Sequence, residues 1–256
     1  SSKQINGTSW FGWELLVLGL LAAVSARNFA MGFNRYADRD IDKHNPRTAN
    51  RPSVDGRVGT KNMQFFIALN GLAFIVVAYM INSLAFWLSF PILIILAGYS
   101  IFKRFSSYAH LVLGVSLGLA PIAGVVAVSQ SITLWSVLLA LGVMFWVAGF
   151  DLLYSLQDME YDKDKGLFSI PSVYGKDATF FISRLFHALT ILFWLLFVVD
   201  ARLGLWAYLG VFLSTIILFI EHRIVIKDFT KIDRAFFTLN GYLGIMFFIM
   251  IFIDRF

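Results

Sequence analysis

Asn34, Asp38 and Asp42 stand four residues apart in "FNRYADRDID", and Asp158 and Asp162 repeat the step in "YSLQDMEYDKDKG". Residues at this spacing lie one above the other on a helix. Asn34, Asp38 and Asp42 therefore project together, while Asp40 points roughly the other way. Asp158 and Asp162 share a face with Tyr154 and, one heptad back, with Asp151. Like charges so placed destabilise a helix, and the same cost incurred twice argues for a cation. Magnesium fits the donors, because it takes hard oxygens and is typically held by one or two carboxylates together with water and substrate phosphates. There is no cysteine, and His44, His110, His187 and His222 form no close pair along the chain. Zinc and haem sites are therefore poorly supported. Arg35, Arg39, Arg51, Lys103 and Lys165 lie near the acids and could hold phosphate oxygens directly. Arg39 and Lys43 read first as a solvated rim, where exposed ion pairs contribute little.

These residues must be carried by elements suited to an apolar solvent. The chain of 256 residues is 59% hydrophobic, 17% aromatic and only 14% charged, with a mean hydropathy of +0.75. A water-soluble domain would carry about a quarter charged residues. So much apolar surface cannot hide in one core, and the chain reads as an integral membrane protein. The lack of cysteine excludes disulfides and thiolate metal sites.

Eight apolar runs can cross about 30 Å of hydrocarbon. They fall near 13–33, 63–80, 84–102, 109–128, 133–157, 179–199, 204–222 and 235–253. Short connections alternate with longer polar ones at 34–62, 103–108, 158–178 and 223–234. Most of the 21 Lys and Arg residues sit in the long connections, including Lys231 and Arg234, while Lys3, Arg202 and Arg255 lie on the other side. Basic residues stay cytoplasmic, so the motif-bearing loops are expected to face the cytoplasm. The chain opens "SSKQINGTSW" on the opposite side without Met, and a preceding helix is expected.

The order helix, acidic motif, basic loop, helices occurs twice. It predicts an all-α transmembrane bundle of two pseudo-repeated four-helix halves, a single domain over 1–256, with the site between the halves. Trp10, Trp13 and Trp206 read as interface anchors. Gly114, Gly118 and Gly124, with Ala120 and Ala123, predict close helix packing, and Pro91 and Pro121 predict kinks.

On these motifs the chain resembles the UbiA superfamily of intramembrane aromatic prenyltransferases from Trp13 onward. "NRYADRDID" is similar to that family's first aspartate-rich motif and "QDMEYD" to its second. "RTANRP" resembles the stretch after the first motif, and "YSIFK" a Tyr-x3-Lys element. "AMGFNR", "FDLLYSLQD" and "GLFSIP" most resemble the branch that prenylates a dihydroxynaphthoate in the futalosine route to menaquinone. Members acting on 4-hydroxybenzoate usually show "IND" where this chain has Phe33-Asn34-Arg35.

The resemblance implies nine helices, of which eight are seen. It implies magnesium on Asp38, Asp42, Asp158 and Asp162, assisted by Asn34, neutralising the diphosphate of an allylic polyprenyl donor. The allylic cation would then attack an aromatic acid ortho to a hydroxyl, in respiratory quinone synthesis at a bacterial cytoplasmic membrane. Tyr99 and Lys103 would assist at the diphosphate or aromatic end, and Arg35, Arg51, Tyr154 and Lys165 would bind substrate. Arg27, a heptad before Asn34, is a candidate anchor for the acid's carboxylate, with pairing to Asp151 as the alternative.

A proton-coupled transporter also uses intramembrane acids, but predicts them near mid-helix, whereas these cluster at helix ends beside Arg and Lys. A family member prenylating another acceptor such as haem is a further alternative. The expected partners are the two substrates and membrane lipid, with no nucleic acid.

Overall fold

Without water in the bilayer, each backbone N–H and C=O must be satisfied within its own segment, and helices do this for an apolar run. The computed structural model describes residues 11–227, Ile232 and 235–255. Lys3, Trp10, Lys231 and Arg234 lie outside the described residues. The helices are α1 (Trp13–Ala37), α2 (Arg39–Asp42), α3 (Thr60–Ile81), α4 (Ser83–Phe102), α5 (Ala109–Ser129) and α6 (Leu134–Ser155). They continue as α7 (Met159–Asp164), α8 (Ile170–Asp200), α9 (Leu205–Lys227) and α10 (Asn240–Arg255), the last entered through a π-helical turn at Ala235–Leu239. Eight segments are long and apolar enough to cross a membrane, matching the eight runs in the sequence. Large apolar side chains such as Leu20, Phe65, Leu72 and Ile94 are exposed along them, as a lipid solvent permits.

The chain forms two compact units, residues 1–101 with 122–132, and residues 102–121 with 133–256. The division thus falls inside α5 rather than between two sets of four whole helices. In the first unit α1 and α3 approach closely, because Gly32 faces Phe66 and Ile67 while Gly71 faces the Phe29 ring. Asn82, between α3 and α4, donates from Nδ2 to the Val126 carbonyl at 2.9 Å.

In the second unit α6 and α8 pack along their lengths. Gly142 leaves room for the Trp194 ring, Gly149 for the His187 ring, and Ser183 Oγ donates to the Gly149 carbonyl at 2.7 Å. Trp194, Phe197, Val211, Leu243 and Phe247 build the apolar core with α9 and α10. Asp254 near the end of α10 accepts from the backbone N–H groups of Trp206 at 3.0 Å and Ala207 at 3.3 Å, so the start of α9 is capped from another helix.

Several expectations are corrected. Residues 158–178 are not simply a loop: α7 lies there, and α8 starts at Ile170. Ser169 and Ser172 form a reciprocal capping box, with Pro at the start of the helix. Lys176 and Asp177 dilute the hydropathy of this first stretch and masked it. The chain turns at Gly175, where φ is +81° and ψ 179°, a conformation that suits glycine. Gly114 and Gly118 do face the α6 backbone, but a Cβ on Gly124 would meet nothing within 4 Å, so it is not a packing glycine.

Candidate active site

The first motif sits where α1 ends. The helix runs through Asn34 to Ala37 and breaks at Asp38, with φ −89° and ψ 1°. The helical hydrogen bonds nevertheless continue: Asp38 N–H donates to the Asn34 carbonyl at 2.9 Å and Asp42 N–H to the Asp38 carbonyl at 2.7 Å. Asn34, Asp38 and Asp42 thus keep the shared face that their spacing predicts. Asp38 and Asp42 are each only 4% exposed, whereas Asp40 is exposed.

Two side chains hold these acids. Asn34 Nδ2 donates to Asp38 Oδ2 at 3.0 Å, and Arg51 donates from a guanidinium nitrogen to Asp42 Oδ2 at 2.7 Å. Arg51 is brought back by the tight turns of "NPRTANRP", in which Thr48 Oγ1 donates to the Asp42 carbonyl at 3.1 Å. Arg35 is half-buried on α1. Arg39 donates to Thr60 Oγ1 at 2.9 Å and stands over the Tyr36 ring, as a rim residue would. Farther along this loop Arg57 hydrogen-bonds Asp55 and holds its carboxyl below the usual carboxylate range. Arg27 is exposed on α1. Tyr99, half-buried on α4, belongs to this same unit.

The second motif has a different local form. α6 stops at Ser155, a 3-10 turn covers Leu156–Asp158, and α7 begins at Met159. The tighter turn departs from α-helical spacing between Tyr154 and Asp162, while Asp158 still lies near Asp162. Asp158 and Asp162 are half-buried, and Glu160 and Lys165 are exposed. Asp162 is hydrogen-bonded by Ser169, the residue that caps α8, and Asp158, Lys103 and His110 lie near it. The Lys103 carbonyl also accepts the Phe168 N–H at 2.8 Å, tying the end of α4 to the turn after α7. Tyr154 packs beside Leu153, Leu156 and Phe180.

His110 escaped the sequence reading. Its Nδ1 is 2.7 Å from Asp151 Oδ2, across 41 residues, and it faces Asp162 as well. Asp151 therefore has an imidazole as a partner on Oδ2. The histidines are not all apart either, since His187 Nδ1 lies 3.0 Å from His222 Nε2. No local spacing signals contacts between separate helices.

Among the described residues, no three His, Cys, Asp or Glu side chains gather tightly enough to hold a metal alone. The donors available are hard oxygens: paired acids in each motif, and the Asn34 amide oxygen, left available because Nδ2 makes the contact to Asp38.

The fold and the paired acidic motifs define a membrane-embedded enzyme class. The chain belongs to the UbiA prenyltransferase family, which it matches over residues 4–251, and it is a prenyltransferase of that family. It is 28% identical to 4-hydroxybenzoate octaprenyltransferase of Aromatoleum aromaticum over 94% of this chain and 82% of that protein. With the enzyme of the same description from Dechloromonas aromatica it shares 33% identity over 64% of this chain, spanning 56% of that protein. A UbiA homolog from Aeropyrum pernix K1 superposes with a TM-score of 0.87 at 30% identity, covering 96% of this chain and 91% of that one. A homolog from Archaeoglobus fulgidus, bound to DMAPP and magnesium, shares the fold at 19% identity with a TM-score of 0.72, over 92% and 88% of the two chains.

Proposed function

We propose that this protein transfers a polyprenyl group from an allylic diphosphate to an aromatic acid, a dihydroxynaphthoate or 4-hydroxybenzoate, in respiratory quinone biosynthesis. The observation that carries this reading is the burial of Asp38 and Asp42 at the end of a membrane span, with cationic and amide partners already set on their oxygens. The names of the bacterial relatives support an aromatic acid acceptor, and the magnesium and DMAPP in the Archaeoglobus homolog support the donor chemistry. Residues 1–256 act, in this reading, as one catalytic domain in a bacterial cytoplasmic membrane, with the motif-bearing loops on the cytoplasmic side.

Asp38 and Asp42 with Asn34, and Asp158 with Asp162, would hold magnesium. When bound it neutralises the diphosphate and stabilises the charge that develops as the allylic C–O bond breaks. Arg35, Arg51, Lys103 and Lys165 donate to diphosphate oxygens. Tyr99 would assist at the diphosphate or aromatic end, and Tyr154 would bind substrate. The electron-rich ring then bonds to the allylic carbon and loses its proton. Arg27 anchors the acid's carboxylate, which fixes the ring position that reacts.

The test is product mass spectrometry. Membranes containing the full-length protein receive magnesium, a polyprenyl diphosphate and either dihydroxynaphthoate or 4-hydroxybenzoate. A prenylated product from one acid identifies the acceptor. With the donor left intact and neither acid consumed, the aromatic-acid reading fails, and acceptors such as haem come next.

A further inference from the structure

The second unit contains a polar cavity that the acidic motifs do not use. It lies between α8 and α9, has a volume of about 150 Å³, and is lined by Arg184, His187, Thr215 and His222 with Ile191 and Phe219 among its apolar walls. His187 and His222 are 4% and 7% exposed. Their mutual contact uses His187 Nδ1 and His222 Nε2, and the other nitrogen of His222, Nδ1, is buried with no hydrogen-bond partner. His187 Nε2 faces the Gly149 position on α6 instead. Arg184 is exposed at the rim, and among the described residues no carboxylate pairs with it. Glu221, adjacent in sequence to His222, accepts from Asn240 at 3.0 Å and serves another contact.

A guanidinium within a membrane span is costly and ordinarily has an anionic partner. The cavity offers that cation and a buried imidazole nitrogen, two donors for phosphate, while the Thr215 hydroxyl on its wall donates to the Val211 carbonyl at 2.9 Å. The flanking side chains identify the source of the anion. Phe181, Leu185, Ile216 and Phe219 are large, apolar and exposed on the same two helices, so the cavity borders acyl chains rather than water. His222 precedes Lys227, the last residue of α9, by about 8 Å of helix rise. Arginine at such a depth extends its head toward the interface, where lipid phosphates lie.

We propose that α8 and α9 hold the phosphate of an anionic phospholipid, with Arg184 as its counter-charge and His222 Nδ1 as its buried hydrogen-bond partner. The site is independent of prenyl transfer and can be tested without turnover. Purified full-length protein in detergent is titrated with phosphatidylglycerol or phosphatidylcholine of matched chains, and bound lipid is counted by native mass spectrometry. Wild-type protein is expected to prefer phosphatidylglycerol. Arg184→Gln should weaken that binding about tenfold, the loss of one charged hydrogen bond, and His222→Gln should weaken it less. Arg184→Lys should keep most of it, and added salt should lower it in the wild type, which covers the case of a poorly folded glutamine variant. Equal binding of the two lipids, or undiminished phosphatidylglycerol on Arg184→Gln, overturns the proposal. So does displacement of the lipid by millimolar inorganic phosphate, which would make the site one for a free anion.

Discussion

A guanidinium nitrogen of Arg51 stands 2.7 Å from Oδ2 of Asp42, across nine residues of sequence. Asp42 is nearly inaccessible, whereas the Arg51 side chain keeps 30% of its surface. A buried carboxylate left without a counter-charge is destabilising, and Arg51 supplies the positive charge at a position where magnesium is proposed to bind. The two cations are therefore partly interchangeable. Replacing Arg51 with Gln should lower stability by about 1.5–3 kcal/mol without metal, the range for a hydrogen bond to a charged group. Magnesium should then raise the melting temperature of the variant more than that of the wild type. Equal magnesium shifts in thermal melts of the two proteins would remove Asp42 from the ligand set.

The acids themselves give a sharper test. Asp38→Asn and Asp158→Asn keep size and remove charge, so each should lose at least about a hundredfold in turnover, as when a preorganised electrostatic contact is deleted. Expression and melting should stay near those of the wild type. Chelation should stop the wild-type enzyme, and added magnesium should restart it. Turnover that survives exhaustive EDTA treatment, or that persists in both variants, would show that the acids do not work through a metal.

The spans were legible because lipid makes the apolar run itself the signal: α4 and α5 begin and end within one residue of the runs at 84–102 and 109–128. The shared face of Asn34, Asp38 and Asp42 was legible too, since helical hydrogen bonding survives the break at Asp38. What spacing could not convey was where the local rule changes. A 3-10 turn at Leu156–Asp158 separates α6 from α7, and the Ser169 cap starts α8 while the sequence is still polar. Contacts between helices were invisible for a different reason. His110 with Asp151 and His187 with His222 depend on which helices pack together, and no pattern along the chain records that.

Glycine shows the same limit and is easily tested. A Cβ on Gly114 would collide with the Met144 carbonyl oxygen and also meet Ala148, whereas one on Gly124 would enter open space. A backbone carbonyl cannot swing away as a side-chain tip can. Gly114→Ala is expected to destabilise by about 1–3 kcal/mol, the range for overpacking. Gly124→Ala should be neutral or slightly stabilising, because alanine favours the helix by about 1 kcal/mol. Thermal melts of the two variants in one detergent compare them directly, and equal losses would contradict the packing of α5 on α6.

Arg27 is the proposed residue whose role is most exposed to refutation. It lies a heptad before Asn34 on α1, is solvent- or lipid-accessible, and has no carboxylate partner among the described residues. Asp151, the acid it could have paired with, is engaged by His110 at 2.7 Å. A cation with this freedom can hold the carboxylate of an aromatic substrate, and its removal should act on that substrate alone. Arg27→Ala is expected to raise KM for the aromatic acid about tenfold or more, the value of a charged hydrogen bond. KM for the polyprenyl diphosphate should change little, and Arg27→Lys should recover part of the loss. If instead the diphosphate KM rises while the acid KM holds, Arg27 belongs to the donor side and the carboxylate anchor must be sought elsewhere.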